Sequence, residues 1–344
     1  MRIAIVSDAW RPQVNGVVRT LEKTAGVLGD LGYETAVFAP ERFRSLPCPT
    51  YPEIPLALFP GHKLARLLSE FTPNAIHIAT EGPVGLAARG YCLREGLAFT
   101  TSYHTRFPEY VRLRVPIPLG WSYRYLKWFH GRAARTLVAT PSMAEDLRRH
   151  GFEHLAIWSR GVDTGLFKPR EKGFLPDPRP IFAYVGRVAV EKNIEAFLSL
   201  DLPGTKCVVG DGPAMAELRA RHPETRFVGY KTGEDLARHV AAADVMVFPS
   251  LTDTFGLVIL EASACGVPVA AFPVTGPIDL VRNGVNGILD EDLGRASLAA
   301  LQVDPASCRH FAEGYSWRAC TQQFLSHLEP NSRMGQTLAD RESA

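Results

Sequence analysis

The chain has 344 residues, 46% of them apolar and 22% charged, with a net charge of +2. That length holds two domains and that composition describes a globular protein, while so small a charge excludes any argument for nucleic acid from charge alone. The six cysteines, Cys48, Cys92, Cys207, Cys265, Cys308 and Cys320, are scattered without C-x-x-C spacing. They read as reduced, inert thiols rather than a zinc site or a disulfide framework. The opening Arg2 to Val6 is too short for a signal-peptide core, and no run of ~20 apolar residues occurs, so the expectation is a cytoplasmic chain that does not span a membrane.

From the N-terminus, IAIVSDAW reads as a strand, Arg11 to Gly16 as a loop, Val17 to Leu31 as an amphipathic helix and ETAVFAP as a second strand: a βαβ unit. NAIHIAT (Asn74 to Thr80) predicts another buried strand, then a Gly-Pro turn and a helix through Arg94; LAFTTSYH and TLVATP continue the alternation. Short apolar strands between helices predict a parallel sheet covered on both faces. The Pro- and charge-rich stretch 167–180 suits a linker. After it, IFAYVGR, KCVVGDGP, TRFVGY, DVMVFPS and VPVAAFP alternate with helices. The expectation is an α/β protein: a first Rossmann-like domain over 1–166, the linker over 167–180 and a second Rossmann-like domain over 181–312. A helix within 313–329 would pack back on the first domain, and a disordered polar tail would cover 330–344. Two doubly wound domains of this kind face each other across a central cleft at the carboxyl ends of their strands.

The richest motif is DTFGLVILE, which sets Asp253 and Glu261 eight positions apart around a Phe-Gly turn. Were most of that span helical, the carboxylates would stand roughly 12 Å apart, about the distance from sugar to ribose in a nucleotide sugar. Carboxylates accept hydrogen bonds from hydroxyls, and the N–H groups at a helix start meet phosphate or sugar oxygens. Upstream, GRVAVEKN follows the first strand of the second domain and offers Arg187 and Lys192 to a diphosphate; the alternative is a solvated surface pair. VGDGP, with Gly210 and Gly212, is either a loop that backbone and ligand share or an ordinary turn, and FVGY ending at Tyr230 has the same character. In the first domain, Asn15 and Gly16 precede a helix whose N–H groups can meet phosphate. His104 follows an apolar strand, placed to contact a sugar hydroxyl or to move a proton, or else is a satisfied structural histidine. Asp8 and Glu81 each follow a strand in the same way and are candidates for touching an acceptor.

The segment Arg106 to Arg135 holds six Arg and one Lys against the single Glu109, with Trp121, Tyr123, Tyr125, Trp128 and Phe129 interleaved. This pattern suits the headgroup layer of an anionic membrane; the alternatives are a helical hairpin with a core aromatic face, and single-stranded nucleic acid. Asp290-Glu291-Asp292 has D-x-D form but lies far from the phosphate loop and reads as an exposed loop, not a metal site. No G-x-S-x-G, P-loop, H-E-x-x-H or full G-x-G-x-x-G occurs, so hydrolase, kinase and dehydrogenase readings lose their usual support.

Taken in order, GRVAVEKN, VGDGP, FVGY and SLTDTFGLVILEASACGVPVAA resemble the retaining family-4 glycosyltransferases of GT-B fold over about residues 1 to 328. SDAWRPQVNGVVRTL, IHIATEGPVG and TSYHTRFPEY are similar to a subgroup of bacterial GDP-mannose-dependent α-mannosyltransferases and sugar transferases that build diacylglycerol glycolipids. The resemblance implies that Arg187 and Lys192 bind the donor diphosphate. It implies that Asp253 and the backbone at Phe255, Gly256 and Leu257 hold the hexose, and that Glu261 binds the ribose. It also implies that Gly16 lies against the phosphate and that His104 contacts the sugar near its reacting carbon. The family often has Glu where this chain has Asp253, and two glycines where it has Asn15 and Gly16. The implied reaction is transfer of a hexose, GDP-mannose favoured over a UDP-sugar, to a lipid or glycolipid hydroxyl. It uses neither cofactor nor metal, and the enzyme is cytoplasmic or peripheral on the inner face of the cell membrane. A sugar-nucleotide epimerase, a phosphorylase and a non-catalytic sugar-nucleotide sensor are the competing classes.

Overall fold

The computed structural model describes residues 1–13, 15–48, 51–112 and 118–331. Position 14, residues 113–117 of the basic aromatic segment and residues 332–344 of the polar tail lie outside the described residues. In chain order the first elements are β1 (Arg2–Val6), α1 (Gly16–Asp30), β2 (Glu34–Phe38), β3 (Ser45–Cys48), β4 (Tyr51–Ala57), α2 (Gly61–Phe71), β5 (Ala75–Ile78) and α3 (Pro83–Glu95). Then come β6 (Thr100–Tyr103), α4 (Phe107–Arg112), α5 (Leu119–His130), β7 (Arg135–Val138), α6 (Pro141–Arg149) and β8 (Leu155–Ile157). A second series follows: β9 (Ile181–Val185), α7 (Ile194–Leu198), β10 (Thr205–Val209), α8 (Met215–Arg221), β11 (Arg226–Gly229), α9 (Gly233–Ala242) and β12 (Val245–Phe248). It closes with α10 (Leu257–Ala264), β13 (Val269–Ala271), α11 (Pro277–Leu280), β14 (Gly287–Leu289), α12 (Leu293–Ala300), α13 (Pro305–Glu313) and α14 (Trp317–His327).

Contacts divide the chain into two units, Met1–Ser159 with the stretch from Trp317 onward, and Arg160–Ser316. Each is built on a six-stranded parallel sheet. The first has the order β2-β1-β5-β6-β7-β8 and the second β11-β10-β9-β12-β13-β14. Strands such as Ile3–Val6 and Val245–Met246–Val247 are apolar throughout and fully buried, because helices cover both faces of a parallel sheet. On one face of the first sheet, Leu64 and Leu68 of α2, Val84, Ala88 and Tyr91 of α3 and Phe129 of α5 share a core with Ala4, Val6, Ile76 and Ile78. On the other, Leu21 and Leu28 of α1 and Cys320 and Phe324 of α14 pack with Ile3, Ile5 and Trp158.

The units divide after Ser159 and Ser316 rather than at 166 and 312, and two further stretches differ from the sequence expectation. Residues 167–180 do not run free as a linker: Leu175 is buried, Lys172 Nζ donates to Ala243 O, and Arg179 pairs with Asp244, whose Oδ2 accepts from Ile181 N at 2.7 Å. Proline and charge signal a loop, but not whether its cations find carbonyls at the end of a neighbouring helix. The ordered chain also runs past 330. Asn331 Nδ2 donates to Ala98 O at 2.9 Å, its Oδ1 accepts from Ala98 N at 2.8 Å and its N–H donates to Asn74 O at 2.7 Å.

Candidate functional site

In the second unit β9 is flanked by β10 on one side and β12 on the other, so the chain winds in opposite directions from the β9–β12 gap. Loops leaving the carboxyl ends at such a switch point diverge and leave room for a ligand. The two loops here are 186–193 and 249–256, and three side-chain bonds join them. Asn193 Nδ2 donates to Pro249 O at 3.0 Å, Thr252 Oγ1 donates to Glu191 O at 3.2 Å, and Lys192 Nζ meets Asp253 Oδ1 at 2.5 Å. Both members of that ion pair are mostly buried, with 22% and 17% of their side chains exposed. Arg187 is half-buried in the same loop, and its carbonyl accepts the Tyr184 hydroxyl at 2.7 Å. The structure therefore brings Lys192 to Asp253 and places Arg187 in the same loop as Lys192.

The helix in DTFGLVILE is shorter than the carboxylate spacing supposes. α10 starts only at Leu257, after Gly256 at φ 92°, which leaves Asp253 in the loop where Lys192 reaches it. Its N-cap is Gly256, which has no side chain to cap α10; Ile259 N donates to Gly256 O at 2.9 Å, and the N–H groups of Leu257 and Val258 at the helix start suit an oxygen-rich ligand. Phe255 is buried beside Gly256, and Glu261 is buried in the second turn of the helix. Tyr230, after β11, is half-exposed.

Gly210 and Gly212 have a structural reason that the sequence reading did not supply. A Cβ on Gly210 would lie 1.8 Å from Gly186 O, and one on Gly212 would lie 2.3 Å from Val188 O. The close approach is between the β10 and β9 loops themselves, joined by Gly186 N to Val209 O at 3.0 Å and Val188 N to Asp211 O at 2.9 Å. These glycines let the two loops approach closely and so hold the Arg187 loop in place. The Asp290-Glu291-Asp292 tripeptide is also committed elsewhere. Arg295 holds the Asp290 carboxyl down to about 2, and Asp292 caps α12 by accepting from Arg295 N at 3.0 Å.

In the first unit the winding reverses between β1 and β5, and Asp8 and Glu81 follow those two strands. Asp8, expected to touch an acceptor, has another task. Its Oδ1 accepts from Val84 N at 2.7 Å, and its Oδ2 accepts from Gly85 N at 3.2 Å and Thr80 Oγ1 at 2.8 Å. It anchors the start of α3 and ties β1 to the end of β5. Burial pushes its carboxyl above the ordinary value, against the pull of those three bonds. Glu81 keeps 21% of its side chain exposed, and its Oε1 lies 3.1 Å from Nε2 of the buried His130. His130 Nδ1 is 2.9 Å from Thr101 Oγ1, and the Tyr125 hydroxyl donates to Glu81 O at 2.6 Å. Neither Tyr125 nor His130 was singled out as holding Glu81; nothing in the local sequence marks partners 44 and 49 positions away. His104 stands half-buried just past β6, edge-on to Trp158 with 5.7 Å between ring centroids. Asn15 caps α1, its Oδ1 accepting from Val17 N and Val18 N at 3.0 Å, so two of the N–H groups expected to meet phosphate are engaged by the side chain next to Gly16.

The basic aromatic segment splits by helical phase. On α5, Tyr123, Leu126 and Phe129 are buried, while Trp121, Arg124, Lys127 and Trp128 face outward. Arg89 of α3 donates to the Trp128 and Phe129 carbonyls at 2.9 Å and stacks on the Trp128 ring at 4.0 Å. Trp121, Arg124, Tyr125 and Trp128 line a shallow depression of about 430 Å³. Core and surface readings of this segment thus apply to opposite faces of one helix. Among the described residues no helix is long and apolar enough to cross a membrane.

Residues 14–166 match the family described as Glycosyltransferase Family 4, and residues 179–302 match Glycosyl transferases group 1. The chain is 30% identical to the GDP-mannose-dependent alpha-mannosyltransferase of Mycobacterium tuberculosis, with 96% of each chain covered. It is 28% identical to the sulfoquinovosyl transferase SQD2 of Arabidopsis thaliana, over 90% of this chain and 69% of that one. The sucrose-phosphate synthase of Thermosynechococcus elongatus superposes with a TM-score of 0.73 at 22% identity, covering 99% of both chains. HepE of Anabaena, solved in complex with UDP and glucose, superposes at 0.71 and 18% identity, covering 95% of this chain and 98% of that one.

Proposed function

The chain belongs to glycosyltransferase family 4, with the GT-B fold, and on that premise we propose that it transfers mannose from GDP-mannose to a lipid or glycolipid hydroxyl, such as that of diacylglycerol, with retention of anomeric configuration. The observation that carries the donor site is the contact of Lys192 with Asp253 at the switch point, beside the uncapped start of α10. Arg187 and Lys192 neutralise the diphosphate, Asp253 and the backbone at Phe255, Gly256 and Leu257 hold the hexose, and Glu261 takes the ribose. Before the donor arrives, Asp253 balances the Lys192 charge; the diphosphate then offers Lys192 a stronger partner and frees a carboxylate oxygen for a sugar hydroxyl. In the reaction the bond from the sugar's anomeric carbon to the diphosphate breaks. The bond from the acceptor oxygen forms on the same face, and the acceptor proton passes to the leaving phosphate oxygen. The chain's work is to stabilise charge on that phosphate and to position the reactants, with His104 contacting the sugar; no carboxylate attacks and no metal ion is needed.

The relatives named GDP-mannose-dependent favour that donor. The likeness to a sulfoquinovosyl transferase supports a second reading, in which the donor is a UDP-sugar of the glucose, glucuronate or sulfoquinovose type. The outward face of α5, with Trp121 and Trp128 beside Arg124 and Lys127, suits an anionic lipid surface from which such an acceptor is drawn.

Purified protein incubated with GDP- and UDP-hexoses and vesicles containing diacylglycerol should form a mannolipid from GDP-mannose, and the yield should survive EDTA. A lipid product from a UDP-sugar alone would select the second reading. Release of nucleoside diphosphate from no donor would overturn both, and loss of activity in EDTA, restored by magnesium or manganese, would overturn the metal-free mechanism.

A further inference from the structure

Phe59, between β4 and α2, is 96% exposed and sits at φ 46°. A bulky residue is seldom held in left-handed backbone, and Asn or Gly ordinarily occupies such a position. Here the strained turn directs the ring away from the fold, next to Leu58, which is also exposed. The turn is fixed: Leu58 N donates to Arg44 O at 2.7 Å and Leu64 N donates to Pro60 O at 2.8 Å. Two exposed cations stand close by in the chain: Arg44, whose carbonyl accepts the Leu58 bond, and Lys63, whose ammonium donates to Arg42 O and lies 5.8 Å from the Phe43 ring. No part of the donor or acceptor chemistry uses Phe59.

The location in the first unit gives the feature its meaning. α2 and α5 lie on the same face of the sheet, with α3 between them, as the shared core of Leu64, Leu68, Val84, Ala88 and Phe129 shows. Each crosses back from the carboxyl ends of the strands, so the Phe59 turn and Trp121, in the first turn of α5, project from the same end of one helical layer. The ring stands on a convex turn, so it suits a deformable partner that closes around it. Exposed apolar side chains on a turn that also carries cations match the boundary between anionic headgroups and acyl chains.

We propose that Phe59 and Leu58 form a second insertion point into an anionic lipid surface, acting with the outward face of α5, with Arg44 and Lys63 close by in the chain. This rests on the lipid-surface reading of α5 given above.

The test is flotation with phosphatidylglycerol–phosphatidylcholine vesicles. Phe59→Asn suits the left-handed backbone and should melt no lower than the parent, yet partition about tenfold more weakly, since burying an aromatic side chain is worth at least one decade in affinity. Phe59→Trp should partition as well as the parent or better. The Phe59→Asn deficit should persist at high salt, where the contribution of Arg44 and Lys63 fades, because insertion is not screened. Equal partitioning of the parent and Phe59→Asn would overturn the second insertion point while leaving the α5 contact standing. Failure of the parent to bind anionic vesicles at low salt would overturn both.

Discussion

Replacing Lys192 by Ala tests the donor site most directly. Its ammonium lies 2.5 Å from Asp253 Oδ1 with about a fifth of each side chain exposed. At an effective dielectric of about 20, that attraction is about 6–7 kcal/mol gross, and desolvation of both groups offsets most of it. We expect a net loss of about 1–2 kcal/mol in stability, a fall of roughly 3–6 °C in melting temperature for units of this size. The effect on transfer should be larger in proportion: removing one charge-stabilising donor from a leaving group costs roughly 3 kcal/mol, or about 100-fold in turnover. The two effects separate in a double variant. Lys192→Ala/Asp253→Asn removes the unbalanced carboxylate and should regain most of the lost stability, but none of the lost turnover. The assay is steady-state transfer with the best donor of the panel, beside thermal melts of the parent, Lys192→Ala, Asp253→Asn and the double variant. Near-parental turnover in a folded Lys192→Ala protein would refute the diphosphate role and leave the pair as a structural tie between two loops.

Two further outcomes follow from the same geometry. Glu261, in the second turn of α10, is assigned to the ribose, so Glu261→Gln should weaken calorimetric affinity for the free nucleoside diphosphate about tenfold while changing the chemical step less; unchanged affinity would count against the assignment. Asp8→Ala strands the Val84 and Gly85 N–H groups and the Thr80 hydroxyl, at a cost of about 2–4 kcal/mol, whereas Asp8→Asn keeps part of the set. Because burial raises the Asp8 carboxyl above 3.8, the folded protein holds a proton that the unfolded chain has released. The Asp8 contribution to stability therefore falls as pH rises through that window. Urea midpoints across acidic pH should show this slope in the difference between parent and Asp8→Asn, and no pH dependence in that difference would show the burial argument wrong.

The strands were legible because a strand buried on both faces must be apolar without interruption, and runs such as Ile3–Val6 and Val245–Phe248 carry that signal whatever their neighbours. That Lys192 and Asp253 meet was legible for a different reason: each stands in a loop after a buried strand, and such loops open at one end of the sheet. What stayed hidden depends on groups that carry no local signature. Gly210 and Gly212 look like loop glycines in any sequence, but the atoms that exclude a Cβ there are the carbonyls of Gly186 and Val188 on the adjacent strand's loop. Asp8 looks like a carboxylate aimed outward until α3, more than 70 positions on, presents its N–H groups. The aromatic segment differs again, for its information was local. Taken as five interleaved aromatics it has one character. Phased at 3.6 residues per turn, Tyr123, Leu126 and Phe129 fall on one side of α5 and Trp121, Arg124 and Trp128 on the other. Composition averages the two faces of a helix, and a surface argument must be made for one face at a time. By that reasoning the cations beside the exposed tryptophans, rather than the charge of the whole segment, are the ones whose removal should lower the salt-dependent part of lipid binding.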